Sequence, residues 1–185
     1  MTPAPQLGEA RPGGRETPRP RGEVDPGFWR NRRVFLTGHT GFKGSWLSLW
    51  LARMGSQVVG FSLPPATRPN LFSAASVDEE VPGTFGDIRD ATALGRALRA
   101  HRPEIVFHLA AQSLVRPSYE APADTYAINV LGTAHVLDAV RTAPGVRAVI
   151  VVTSDKCYEN REWVWHYRED ETLGGRDPYS SSKAC

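Results

Sequence analysis

Residues 34–44 read Val-Phe-Leu-Thr-Gly-His-Thr-Gly-Phe-Lys-Gly, an apolar run that ends in three regularly spaced glycines. The next residues, 45–53, carry apolar side chains at helical spacing, so the pattern predicts a strand, a glycine turn and a helix. In this context Gly38, Gly41 and Gly44 allow a tight turn, a close approach of the backbone to a pyrophosphate, and close packing of the helix on the strand. The helix N-terminus adds unpaired N–H groups that attract phosphates. The stretch therefore predicts a dinucleotide site, with an ordinary glycine-rich turn as the alternative.

Apolar runs and helical patterns alternate through the rest of the chain. Further strands are predicted near 57–61, 84–87, 104–110 and 146–152, and further helices near 91–100 and 123–141. This alternation predicts an α/β fold, a doubly wound parallel sheet of Rossmann type with helices on both faces. Ligands of such sheets bind at the carboxyl ends of the strands, where the chain has the glycine turn, Asp87, residues 110–113 and residues 154–156.

Charge and composition exclude several classes of protein. The 185 residues carry 22 basic and 20 acidic side chains, and seven of the arginines lie in residues 1–33. Because the small net positive charge comes mainly from that segment, it is only weak support for a nucleic-acid partner. No apolar window has the length that spans a membrane, and the two cysteines make no disulfide framework. We therefore expect a cytoplasmic protein with no nucleic-acid partner, no membrane partner and no metal site.

The first part of the chain differs in composition from the remainder. Residues 1–31 are rich in Pro, Gly and Arg and show no apolar periodicity. Such a segment buries too little apolar surface to offset the entropy of ordering it. We predict a disordered tail over 1–31 and the cofactor-binding domain over 32–185.

A second candidate site lies near the end of the chain, where Tyr179 and Lys183 stand one helical turn apart. The preceding Asp177-Pro178 pair is typical of a helix start, so both side chains are predicted on one helix face. A free tyrosine has a pKa of about 10, too high for a base at neutral pH, but a neighbouring ammonium favours the phenolate. The pair is a candidate general base with its activating cation, or else two incidental residues on a solvated face.

Together, the glycine turn and the tyrosine–lysine pair resemble the short-chain dehydrogenase/reductase superfamily, specifically its extended branch that acts on nucleotide sugars. Three more stretches match, Gly-Asp-Ile-Arg-Asp at 86–90, His-Leu-Ala-Ala-Gln at 108–112 and Asn-Val-Leu-Gly-Thr at 129–133. The resemblance covers the chain from residue 33 onward and implies NAD as the cofactor. The cofactor-binding residues that it implies are Gly38, Thr40, Gly41, Phe42, Lys43, Gly44, Ser62, Asp87, Ile88, Leu109, Ala110, Ala111, Gln112, Asn129, Tyr179 and Lys183.

The stretch at 153–158, Thr-Ser-Asp-Lys-Cys-Tyr, separates the subfamilies. Sugar-nucleotide 4,6-dehydratases typically have Thr-Asp-Glu here, whereas epimerases lack the acid–base pair. This chain has Ser154, Asp155 and Lys156, an arrangement that resembles the CDP-glucose 4,6-dehydratases. A simple ion pair in a loop is the alternative for Asp155 and Lys156.

The resemblance implies conversion of CDP-glucose to CDP-4-keto-6-deoxyglucose and water, with hydride leaving C4 for NAD and returning to C6. Tyr179 would take the proton of the 4-hydroxyl, while Lys183 would favour the phenolate and hold the nicotinamide ribose. Ser154 would hydrogen-bond the carbonyl oxygen that forms, and Asp155 would protonate the departing 6-hydroxyl. Lys156 stands where relatives have the base for the C5 proton, and it would act as a neutral base or as a cation beside an enolate.

The usual rule for cofactor choice gives no answer here. An acidic residue about twenty positions after the glycines normally binds the ribose 2′-hydroxyl. The second predicted strand instead ends in Gly-Phe-Ser-Leu at 60–63, and Arg68 nearby could suit a 2′-phosphate. The expectation of NAD therefore rests on the resemblance.

Relatives continue with further strands and a domain that binds the nucleotide sugar, so the resemblance implies a fold truncated before those parts. The strand order 3-2-1-4-5 of the family would leave the apolar fifth strand at an exposed edge, which favours aggregation. We expect an inactive N-terminal fragment of an enzyme that is a homo-oligomer when full length. The alternatives are an epimerase or reductase of the same fold, and a non-catalytic nucleotide-binding module.

Overall fold

The computed structural model describes residues 24–185, which contain one parallel five-stranded sheet. The strand order is β3-β2-β1-β4-β5, so the predicted doubly wound Rossmann-like fold and its strand order are confirmed. Every neighbouring pair is parallel, and Thr37 at the end of β1 lies beside Phe61 and His108. The strands are β1 (Arg33–Thr37), β2 (Gln57–Ser62), β3 (Gly83–Phe85), β4 (Ile105–His108) and β5 (Ala148–Val151).

Helices cover both faces of the sheet. They are α1 (Pro26–Trp29), α2 (Phe42–Arg53), α3 (Leu71–Ala74), α4 (Val77–Glu80), α5 (Ala91–His101), α6 (Val115–Glu120), α7 (Pro122–Tyr126), α8 (Gly132–Arg141) and α9 (Pro178–Ala184). None of the helices within residues 24–185 is both long enough and apolar enough to cross a membrane.

The core consists of two apolar layers, one on each face of β1. Val34 and Leu36 face a layer that includes Leu51 of α2, while Phe35 faces a layer that includes Leu94 and Leu98 of α5. Val34, Phe35 and Leu36 are all fully buried. This two-sided burial explains why the strand appears in the sequence as a continuous apolar run.

The helical pattern predicted over 123–141 folds as three segments. Between α7 and α8, residues Ala127–Leu131 form a π turn, in which the Gly132 N–H donates to the carbonyl of Ala127. The widened turn contains Asn129, whose side chain is buried. Because π turns inside helices are often found at functional sites, this departure from the predicted regular helix concerns the site itself.

The two ends of the domain differ in how they are packed. Residues 1–23 of the predicted tail lie outside the described residues, and Pro26–Trp29 form a helical turn that places Trp29 against Phe107. At the other side of the sheet, β4 is the one strand within residues 24–185 that pairs with β5, and Ile150 and Val151 are each more than a third exposed. The fifth strand is thus an edge of the described sheet, as the strand order predicts, while its tendency to aggregate stays a prediction.

Candidate active site

The glycine turn connects β1 to α2 at the carboxyl end of the sheet. Gly38 has a left-handed backbone with φ of 79°, and a side chain there would lie 2.7 Å from the amide nitrogen of Ala110. A side chain at Gly44 would overlap the carbonyl group of Gly38. Gly41 occupies the N-cap of α2 without a side-chain cap, and the first turn of the helix has no acidic residue. The N–H groups of this turn are therefore left for an anionic ligand.

A cavity of about 610 Å³ opens above the glycine turn, at the carboxyl ends of the strands. Every predicted cofactor residue except Asn129 lines it. These residues are Gly38, Thr40, Gly41, Phe42, Lys43, Gly44, Ser62, Asp87, Ile88, Leu109, Ala110, Ala111, Gln112, Tyr179 and Lys183. The chain thus brings the predicted cofactor set together around one space, at the place where a doubly wound sheet binds its ligands.

The end of β2, where many dinucleotide sites have a carboxylate, carries a cluster of hydroxyl groups. The Ser62 hydroxyl lies 2.9 Å from the Thr40 hydroxyl and 3.0 Å from Nδ1 of His39. Burial lowers the pKa of His39 to about 4, so its ring is neutral at pH 7. Arg68, which could have suited a 2′-phosphate, does not line the cavity.

The predicted adenine position, Asp87 and Ile88, follows β3. The Arg89 guanidinium lies 2.7 Å from the Asp87 carboxylate, and this hydrogen bond keeps the pKa of Asp87 below its usual value. Asp87 therefore stays ionised through the neutral range. Asp87 and the neighbouring Ile88 both line the cavity after β3.

The helix that carries Tyr179 and Lys183 begins as predicted. Asp177 is its N-cap and accepts from the Ser180 N–H at 2.9 Å, and Pro178 occupies the first turn. Tyr179 is 8% exposed and lines the cavity, and no hydrogen bond to its hydroxyl is found within residues 24–185. Lys183 also lines the cavity and donates to the carbonyl of Val152 at 3.3 Å. Burial lowers the pKa of Lys183.

The backbone of Tyr179 is held by Ser118, a residue that no sequence motif singles out. The Tyr179 N–H donates to the Ser118 hydroxyl at 3.1 Å, and that hydroxyl donates to the carbonyl of Val115. Ser118 is fully buried in α6, 61 residues before the tyrosine. Since the first N–H groups of a helix have no partner within it, Ser118 satisfies one of them and fixes the start of α9.

Ser154, Asp155 and Lys156 lie beside the cavity and not on its surface. The Ser154 hydroxyl donates to Asp155 at 3.0 Å and accepts from the backbone N–H of Lys156 at 3.2 Å. Asp155 and Lys156 are exposed and form no ion pair with each other. The lining of the cavity ends at Val152 and Thr153, immediately before them.

Comparison with known proteins agrees with this arrangement. A CDP-glucose 4,6-dehydratase from Salmonella typhimurium is 54% identical over 88% of this chain and 45% of its own length. A UDP-glucose 4-epimerase from Mycolicibacterium smegmatis is 35% identical over 83% of this chain and 48% of its own length. The chain therefore spans about half the length of the curated relatives that it matches.

Solved structures give the same result for the fold. The crystal structure of UDP-glucose 4-epimerase from Brucella ovis in complex with NAD is 29% identical, with a TM-score of 0.72 over 83% of this chain and 45% of that chain. The family model described as GDP-mannose 4,6 dehydratase matches residues 35–185. The resemblance inferred from the sequence motifs is confirmed, and the chain belongs to the GDP-mannose 4,6 dehydratase family.

Proposed function

We propose that this chain is the cofactor-binding half of a CDP-glucose 4,6-dehydratase that uses NAD. The observation that carries the proposal is the convergence of the glycine turn, Tyr179 and Lys183 on one cavity. The similarity to the Salmonella typhimurium enzyme supports the substrate, and the Asp155-Lys156 pair supports a dehydratase over an epimerase.

The residues around the cavity fit a dinucleotide. Gly44 leaves free the volume beside the carbonyl of Gly38 that any side chain would fill, and the uncapped start of α2 offers N–H groups to a diphosphate. The hydroxyl groups at the end of β2 can hydrogen-bond a ribose diol. Within residues 24–185 no arginine lines the cavity, Arg68 included, and this lack of a guanidinium for a 2′-phosphate supports NAD over NADP.

Each side chain in the proposed site has a distinct task. NAD, held by the glycine turn and by Lys183, would supply the hydride chemistry that links C4 and C6 of the sugar. Tyr179 takes the proton of the 4-hydroxyl, and its hydroxyl is free for this because it has no partner among the described residues. The Lys183 ammonium favours the phenolate of Tyr179 and binds the nicotinamide ribose.

Ser154, Asp155 and Lys156 act on the sugar in this proposal. The Ser154 hydroxyl hydrogen-bonds the oxygen at C4 as it becomes a carbonyl, and the new carbonyl acidifies the proton at C5. Asp155 protonates the 6-hydroxyl as it departs, so water leaves across C5 and C6. Lys156 removes the C5 proton or stabilises the enolate that forms, and its exposed position beside the cavity leaves it open to a substrate bound there.

Two measurements test the proposal. We expect calorimetry to show that the 185-residue chain binds NAD, and binds NADP more weakly. We also expect that joining the chain to the C-terminal half of the Salmonella typhimurium relative gives an enzyme that converts CDP-glucose to a 4-keto-6-deoxy sugar, detected by the new methyl signal in proton NMR. Binding of NAD without turnover in the joined protein would contradict the dehydratase, and epimerised product would favour the epimerase alternative.

We predict that Lys156→Gln in the joined protein lowers turnover by roughly 100-fold, because it removes the amine that acts at C5. NAD affinity should not change, since Lys156 does not line the cavity. Lys156→Glu, which supplies the carboxylate that relatives have at this position, separates a requirement for lysine from a requirement for any base. Exchange of the C5 proton with deuterated water reports the affected step, and unchanged turnover in both variants would show that the lysine has no specific role.

A further inference from the structure

A row of hydrogen-bonded side chains runs behind the cavity wall, from the end of β1 to α9. The Thr37 hydroxyl lies 2.6 Å from Nδ1 of His108, and Nε2 of His108 lies 3.0 Å from the Thr133 hydroxyl. The Thr133 hydroxyl lies 2.6 Å from the carbonyl of Asn129 in the π turn. The side chain of Asn129 in turn reaches the Ser182 hydroxyl at 2.8 Å. His108 is 3% exposed, so this row is closed to solvent at its centre.

The positions of the protons follow from the partners. A carbonyl can only accept, so the Thr133 hydroxyl donates to Asn129 and must accept from Nε2–H of His108. A neutral ring protonated at Nε2 has an acceptor at Nδ1, and Nδ1 accepts a hydrogen bond from the Thr37 hydroxyl. The Thr37 oxygen still accepts from the Ala110 N–H at 3.2 Å. His108 is therefore the Nε2–H tautomer with both nitrogens satisfied.

The hydrogen bonds of Asn129 and Ser182, at the α9 end of the row, run in the same direction from donor to acceptor. The Asn129 side-chain oxygen accepts from the backbone N–H of Gln112 at 2.9 Å, which leaves its amide nitrogen to donate to Ser182. Ser182 then donates to the carbonyl of Tyr179 at 2.7 Å. All donors thus point from β1 toward the tyrosine, and hydrogen bonds aligned in this way strengthen one another.

Asn129 in the π turn connects the contacts of His108 and Thr133 to those of Ser182 on α9. Thr133 binds the backbone of Asn129, and the Asn129 side chain binds both the backbone of Gln112, which lines the cavity, and Ser182 on α9. Asn129 itself does not line the cavity and uses its amide group entirely within the protein. It therefore acts on the site through the residues that it holds.

We propose that His108 and Thr133 are positioning residues, which hold the π turn in the shape that places Tyr179 and Lys183 at the cavity. The proposal rests on the proposed function only in taking Tyr179 and Lys183 as the catalytic pair. Tyr179 is fixed on both sides, at its N–H by Ser118 and at its carbonyl by Ser182. The second bond lies within α9, and the Asn129 amide links it to the π turn by donating to the Ser182 hydroxyl.

The electrostatic surroundings of His108 agree with a neutral ring. Burial, with a smaller contribution from the Lys183 ammonium, lowers the pKa of His108 to about 4. Protonation at Nδ1 would take away the acceptor of the Thr37 hydroxyl and place a second positive charge near Lys183. The ring is thus neutral over the range in which Tyr179 would accept a proton.

The test uses Thr133→Val, which keeps the shape of the side chain and removes the hydroxyl, in the 185-residue chain. Thr133→Ser restores the hydroxyl. Thr142→Val is the matched control, because Thr142 donates to the carbonyl groups of Asp138 and Ala139 but lies outside the row. Nitrogen-15 NMR of the histidine rings should show His108 protonated at Nε2 alone, and backbone amide signals report the position of α9.

We expect Thr133→Val to speed solvent exchange of the His108 ring proton by about 5-fold, which corresponds to the loss of one hydrogen bond of about 1 kcal/mol. The amide signals of Tyr179 and Lys183 should shift in this variant, and NAD affinity should fall several-fold, while Thr133→Ser and Thr142→Val resemble the wild type. A wild-type His108 protonated at Nδ1, or unchanged amide signals in Thr133→Val, would overturn the proposal. A wild-type chain that binds no NAD would contradict the proposed function instead, and the NMR comparison would still decide the positioning role.

Discussion

Tyr179→Phe is expected to reduce turnover of CDP-glucose in the joined protein by roughly 1000-fold or more, because it removes the group that takes the proton of the 4-hydroxyl. The aromatic ring stays, so the packing of α9, the hydrogen bond from the backbone N–H of residue 179 to Ser118 and the one from Ser182 to its carbonyl are unaffected. The Tyr179 hydroxyl has no partner within residues 24–185, and its loss therefore leaves no buried group unsatisfied. Turnover is measured by NMR, and NAD affinity by calorimetry.

Tyr119→Phe is the matched control for this change. Tyr119 is 63% exposed and does not line the cavity, so its variant should turn over at the wild-type rate. NAD affinity in Tyr179→Phe should stay within about threefold of the wild type, since one neutral hydrogen bond is worth about 1 kcal/mol or less at a partly exposed ribose. Retained turnover would remove Tyr179 as the base, and loss of NAD binding together with turnover would assign it to cofactor binding.

Local features of the site could be predicted from the sequence, because each depends on neighbours along the chain. The strand, turn and helix of residues 34–53 fold as expected, since the buried run Val34–Leu36 and the three glycines specify them within a few positions. The start of α9 was equally predictable, because Asp177 caps the helix that it precedes. Residues that follow strands were expected at one end of the sheet, because the carboxyl ends of parallel strands lie at the same edge.

Features that depend on distant contacts could not be predicted. The π turn leaves the apolar spacing of 123–141 almost unchanged, so the sequence pattern favours one regular helix there. Its side-chain partner Ser182 is 53 residues away, and the serine that holds the Tyr179 N–H is 61 residues away. No spacing rule connects such residues. The histidine of the His-Leu-Ala-Ala-Gln stretch was visible only as part of a family motif, while its contacts with Thr37 and Thr133 explain what it does.

Ser154, Asp155 and Lys156 could be predicted only in part. Their place at a strand end was predicted, but they lie beside the cavity and not on its surface. Ser154 starts a short 3₁₀ turn over Asp155–Cys157, and its hydroxyl is used within that turn. The direction of such side chains depends on the packing of the whole segment that follows, which neighbouring residues do not specify. Their roles with the sugar therefore stay proposals.

Gly44→Ala is expected to abolish detectable NAD binding and to lower the free energy of unfolding by about 3 kcal/mol or more. A Cβ atom at this position would overlap the carbonyl of Gly38, and it would also lie 2.9 Å from the Cα of His39. Both neighbours are backbone, so relief requires α2 to move away from the turn that forms the floor of the cavity. Urea unfolding and calorimetry with NAD measure the two effects.

Gly95→Ala separates this steric effect from the general effect of alanine in a helix. Gly95 lies inside α5, and a Cβ atom there would first meet the end of the flexible Arg99 side chain, at 3.1 Å. Both variants gain the helix propensity of alanine, about 1 kcal/mol, so their difference isolates the clash. We expect Gly95→Ala to be as stable as the wild type or more so and to bind NAD normally. Gly44→Ala with wild-type stability and affinity would show that α2 does not need to approach Gly38 closely, and the glycine turn would lose its assignment as the diphosphate site.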